Sequence, residues 1–132
     1  DVYKRQAESC NLSMVERQLG CLDEAEALGR EAMDIAYQRG DELMTGWVMN
    51  GFAAVAADRG EFERAATLIG SADAAMEAAG GAWPPDELVH YERTIAILNE
   101  AMGSSEFQRV RTAGHSMTMP QAVDFGLETR SV

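Results

Sequence analysis

Glu87 and His90 stand three positions apart in the run PPDELVHYER, a spacing that sets a carboxyl group and an imidazole on one face of a helix. Helical bundles hold di-metal centres with this pattern, but they need two such pairs and two further Glu residues from neighbouring helices. Only one Glu-x-x-His is present. Zinc would require Cys10, Cys21, His90 and His115 to converge from four separate segments, without the short paired spacings of structural zinc sites. No G-x-S-x-G elbow is present to activate a serine, and neither cysteine has the basic neighbours that would lower its pKa. No G-x-x-x-x-G-K-[ST] loop is present to cradle a nucleotide. The expectation is a chain with no catalytic residue, metal or cofactor of its own. The alternative is a small-molecule- or metal-binding helical bundle that uses Glu87 and His90.

The elements that would position these groups follow from size and pattern. At 132 residues, with 46% hydrophobic and 25% charged side chains, the chain has the size and balance of one globular domain. A net charge of −11 repels phosphate backbones, so a direct nucleic-acid partner is disfavoured. No apolar run reaches the roughly 18 residues of a membrane helix, and no signal peptide is evident, which makes the cytoplasm the expected location. The opening DVYKRQ carries Lys4, the one Lys of the sequence, and reads as a non-native leader over residues 1–6.

Residues 20–40, GCLDEAEALGREAMDIAYQRG, superimpose without a gap on residues 60–80, GEFERAATLIGSADAAMEAAG. Gly20 meets Gly60, Ala25 meets Ala65, Leu28 meets Leu68, Ala32 meets Ala72 and Gly40 meets Gly80. Each copy reads as two helices. The glycine closes the first, and the second carries a 3.6-residue apolar stripe, Ala25, Leu28, Ala32 and Ile35 in one copy and Ala65, Leu68, Ala72 and Met76 in the other. Small residues at Ala25 and Ala65, facing small positions such as Gly51 and Ala54, would let antiparallel helices approach closely. The spacing of glycine, large apolar residue and alanine resembles the tetratricopeptide repeat, with a longer first helix over roughly 42–58 in the complete copy. Because one helical pair cannot bury both faces, stacking is implied, and the first copy reads as truncated on its N-terminal side.

The run AGGAWPPDELVHYER then breaks the pattern. Gly80 closes the last repeat helix, Pro84 and Pro85 can start a new one, and Asp86 and Glu87 complement its dipole. Leu88, Tyr91, Ile95, Leu98 and Met102 recur as one apolar face, and Trp83 is placed to plug the seam. Ser105 with Gln108, and Thr118 with Gln121, have capping-box spacing for two shorter helices. These last two superficially resemble a helix-turn-helix, but MPQAVDFGLE has no cation to offer to DNA. The fold expected is all-α: two tetratricopeptide-like antiparallel helix-turn-helix pairs forming an α-solenoid over residues 7–80, then about three capping helices over 81–132.

In such an array the first helix of each pair lines a groove. The candidate binding residues are Asn11, Met14, Trp47, Asn50 and Tyr91, with the aromatic pair as anchors and the two amides as orienting groups. Met44 and Met49, beside Trp47, could add an adaptable apolar surface or fill the core.

The segments GCLDEAEALGREAMDIAYQRGD, GEFERAATLIGSADAAMEAAGGAWPPDELVHYERTIAILNEAMG and SSEFQRVRTAGHSMTMPQAVDFGLE together resemble the C-terminal helical-repeat region of large bacterial signal-transduction ATPases and of LuxR- and SARP-type transcriptional regulators. The resemblance runs from about Ala7 to Glu128. It implies a sensor or scaffold region that binds a protein, peptide or effector, or contacts an upstream ATPase domain of the same parent chain, and carries no catalytic residues. A third reading is a purely structural domain that forms a homo-oligomer through its exposed repeat ends.

Overall fold

The computed structural model of the protein describes residues 22–127, and every regular element among them is a helix. Six helices follow one another: α1 (Leu22–Gln38), α2 (Glu42–Asp58), α3 (Phe62–Ala79), α4 (Pro85–Met102), α5 (Ser104–His115) and α6 (Met119–Leu127). α2 and α3 are the two helices of the complete repeat, and α1 is the second helix of the copy before it. The segment expected to supply that copy's first helix, the leader over 1–6 and both cysteines lie outside the described residues.

The turns repeat as the sequence does. Gly40, Gly60 and Gly80 all take the left-handed conformation, with φ of +67°, +80° and +64°. In each turn the next residue's N–H reaches back over the last helical turn, from Asp41 to the Ala36 carbonyl (3.0 Å), from Glu61 to Ala56 (2.9 Å) and from Gly81 to Met76 (3.3 Å). This arrangement satisfies carbonyls that a helix end would otherwise leave open. Asp41 also caps α2, its carboxylate accepting from the Met44 N–H at 3.0 Å.

α2 is the central element. No charged residue occurs between Glu42 and Asp58, and from Met44 to Ala57 every residue except Trp47 is buried. A helix apolar on all sides must be enclosed on all sides. α1 and α3 flank α2, and α4 packs on it as well. Met33, Met44 and Met49 are fully buried with Leu68, Ile69 and Leu98. These methionines therefore fill the core, and Met44 and Met49 offer no adaptable surface. Phe52 projects toward α1 at a glycine: a Cβ on Gly29 would stand 2.6 Å from the Phe52 ring.

The three helices after the breaker cap the array, and α5 is fastened most closely. A Cβ on Gly70 of α3 would stand 2.0 Å from the Arg111 carbonyl oxygen, and one on Gly114 of α5 would stand 2.1 Å from that of Thr67. The backbones of α3 and α5 thus meet where both lack side chains. Ser71 Oγ donates to the Gly114 carbonyl at 3.2 Å across the crossing. Thr118 and Gln121 form the expected capping box, each side chain accepting from the other's N–H (2.9 and 3.3 Å). Ser105 and Gln108 do not. Gly103 takes the cap position and α5 begins at Ser104, so Ser105 already lies inside the helix.

Candidate functional site

Three of the five proposed binding residues, Trp47, Asn50 and Tyr91, fall in the described residues, and all three lie on α2 and α4, where repeat meets cap. Asn11 and Met14 lie outside them. Asn50 is fully buried. Its Nδ2 donates to the Glu87 carbonyl and to Glu87 Oε2, both at 3.1 Å. The amide expected to orient a ligand therefore ties α4 to α2, and its partner is one of the two residues singled out for metal chemistry.

Glu87 and His90 are themselves buried, at 3% and 8% exposure, and Thr94 continues their stripe at full burial. α4 thus presents Glu87, His90, Thr94 and Leu98 to the interior, while Leu88 and Val89 stay exposed. The face that seats α4 is rotated from the apolar stripe through Leu88. The physical reason is the Asn50 amide, which fixes Glu87 against α2 and turns the neighbouring Leu88 outward. Among the described residues no group of three or more His, Cys, Asp or Glu side chains could hold a metal ion. At this seam Trp47 Nε1, Asn50 Oδ1 and Thr94 Oγ1 are buried with no hydrogen-bond partner. Two of these belong to α2, one turn apart, and the third sits farther along α4.

Tyr91 is half-buried and belongs to a second cluster, on the side of α4 that meets α3 and α5. Its ring stacks on Trp83, with centroids 4.7 Å apart and planes inclined by 29°. Its hydroxyl donates to Asp73 Oδ1 and accepts from Arg111 Nη2 at 2.8 Å, while Arg111 Nε donates to Asp73 Oδ2 at 2.7 Å. The three side chains close a ring of hydrogen bonds across three helices. Burial, reinforced by the hydrogen bond and charge of Asp73, pushes the Tyr91 hydroxyl pKa well above its usual 10.0. Burial opposes the Arg111 charge, but the Asp73 hydrogen bond and charge outweigh it and raise the guanidinium pKa. Beside this cluster Asp73, Gln108, Arg111, Thr112 and His115 line an open groove of about 170 Å³.

Asp73 and Arg111 were not among the candidate residues, although the repeat carries a signal for Asp73. Forty residues earlier the equivalent position is Met33, a fully buried core residue. A carboxylate that replaces a core methionine needs a buried partner, and here Arg111 and Tyr91 provide it.

Neither cluster presents a nucleophile beside a base, and in both the hydrogen bonds described run across helix boundaries. The geometry is that of a helical scaffold. Its paired helices and glycine-closed turns agree with the comparison to known families, in which the tetratricopeptide repeat matches residues 5–77, although the forty-residue period is longer than the roughly 34 usual for that repeat. No curated protein and no solved structure matches the chain. Tetratricopeptide repeats are helical modules of protein–protein interaction. The match spans more than half of the sequence, and the chain belongs to the tetratricopeptide-repeat family.

Proposed function

We propose that this chain is the non-enzymatic repeat region of a bacterial ATPase-type transcriptional regulator, where it binds a partner or effector and passes that state to the rest of the parent protein. The observation that carries the interaction role is the tetratricopeptide match over residues 5–77, which takes in α1, α2 and nearly all of α3. The parent class rests on the resemblance of the repeat, the Pro-containing break, the Y-E-R helix and the terminal helix to such regulators. In this reading Trp47 and Tyr91, half-buried on α2 and α4, remain the aromatic anchors for a partner, and Asn11 and Met14, outside the described residues, complete the proposed set. Asn50 supports them from the seam.

The coding sequence upstream of Ala7 tests the parent class. A G-x-x-x-x-G-K-[ST] loop following a strand and opening a helix is the expected result. An upstream region with no nucleotide-binding domain would remove the regulator assignment and leave the interaction module standing.

A further inference from the structure

We propose that Trp47 Nε1 and Asn50 Oδ1 form a buried site for one small neutral hydroxyl, a water molecule in the protein alone, which accepts from the indole and donates to the amide. The site goes beyond the interaction role, and only the use given to it below rests on that reading.

Three buried polar atoms at the seam carry no hydrogen bond, Trp47 Nε1, Asn50 Oδ1 and Thr94 Oγ1. A buried donor or acceptor left unpaired costs stability, and in folded proteins such groups are paired with protein or with ordered water. Thr94 stands apart from the other two. It follows Arg93, which meets Asp58 at the C-terminal end of α2 at 3.3 Å, whereas Asn50 lies near the middle of that helix. A threonine hydroxyl also rotates, and inside a helix it can turn to the carbonyl one turn back. An indole N–H and an amide oxygen sit in planar groups and have no such local partner.

The orientation of the Asn50 amide is fixed by Glu87. Exchanging its two ends would set Oδ1 against the Glu87 carbonyl oxygen and Oε2, the two acceptors that Nδ2 now meets at 3.1 Å. Nδ2 therefore stays on Glu87, and Oδ1 is turned from it. Trp47 precedes Asn50 by three residues, and side chains at that spacing are neighbours on a helix surface. One turn of α2 thus carries a lone donor and a lone acceptor, both closed to bulk solvent and not bonded to each other. One oxygen between them satisfies both.

The same two atoms select the occupant. An anion would face the lone pairs of Asn50 Oδ1 beside the Glu87 carboxyl group, and a cation has no acceptor for the indole N–H. A hydroxyl supplies both functions, and buried waters make two to four such bonds. The bridge extends the Asn50–Glu87 tie to Trp47, so one line of hydrogen bonds runs from the proposed anchor on α2 to α4. With a partner on Trp47, displacement of this oxygen is felt where the cap is seated.

The test is solution NMR on the full, unaltered chain. The sequence has two tryptophans, so whichever of Trp47→Phe and Trp83→Phe folds assigns the Trp47 indole proton. Paired NOE and ROE spectra at the water frequency separate a bound molecule, whose cross-peak changes sign between them, from proton exchange, whose cross-peak does not. The expected result is a sign-changing cross-peak from the Trp47 indole proton to water, lost in Asn50→Ala or, should that variant not fold, in the volume-keeping Asn50→Leu. A cross-peak to carbon-bound protons foreign to the chain would place the hydroxyl on a co-purified ligand and support the same site. No cross-peak, one that keeps its sign, or one that persists in a folded Asn50 variant overturns the proposal. That failure leaves the interaction role untouched, since the family match and the upstream sequence test it separately.

Discussion

Asn50 lies in the middle of α2, surrounded by apolar neighbours, and a buried amide costs stability unless its hydrogen bonds are made. Donation from Nδ2 to both the backbone and the side chain of Glu87 satisfies the donor side, while Oδ1 stays without a protein partner, and the two bonds tie α4 to α2. Asn50→Ala removes both donors from a buried seam, and equilibrium urea unfolding should show a loss of about 2–3 kcal/mol. A change within a few tenths of a kcal/mol would mean that the seam is held by apolar contact alone. From sequence, Asn50 stands out only as a polar residue in an apolar helix, and that is equally compatible with a groove and with a buried tie. The partner that decides between them is far along the chain, so local pattern does not reveal it. Tyr91 offers a pH test. Its folded-state pKa lies above the unfolded value of about 10, so its contribution is fully present below pH 10 and is lost as pH rises beyond it. Stability measured from pH 9 to 12 should fall more steeply in the unaltered chain than in Tyr91→Phe. Parallel curves would contradict the Asp73 and Arg111 ring.

At the scale of elements, two kinds of glycine separate cleanly. Gly60 needs its left-handed φ and has nothing within 4 Å of a Cβ, whereas Gly114 sits inside α5 with the Thr67 backbone where a Cβ would go. Alanine in a helix interior is ordinarily favoured over glycine by about 1 kcal/mol. Gly114→Ala should reverse that sign, because two backbones would have to separate, and should cost about 2–3 kcal/mol. Gly60→Ala should cost about 1–2 kcal/mol through backbone conformation alone. Thermal or urea melts of the two variants check the order, and a stabilised Gly114→Ala would show that α3 and α5 do not cross there. The helix-closing glycines are legible in sequence because they recur with the repeat and precede a fresh apolar stripe. Gly70 and Gly114 are not, since a close crossing depends on which helices become neighbours. The Thr118 and Gln121 box was legible for the opposite reason, as both partners lie within one turn. Ser105 and Gln108 share that spacing but yield to Gly103, which turns the chain before them.

Across the whole molecule, the forty-residue period made the stack of helix pairs readable before any coordinates, and the Gly and Pro break placed the change from array to cap. What the period could not show is how the cap is fastened. α4 is tied by Asn50, α5 by paired glycines and Ser71, and α6 by Arg30 and Arg64, and each of these departs from the repeat. Arg30 aligns with Gly70 and Arg64 with Glu24, so the copies differ at the positions that receive the capping helices. At the seam Glu87 joins cap to repeat through Asn50, with His90 buried beside it, and on the proposed reading this pair is structural and holds no metal. Elemental analysis of the purified chain beside His90→Ala tests this most directly. No stoichiometric metal is expected in either protein. One metal ion per chain, lost on substitution of His90, would contradict this reading.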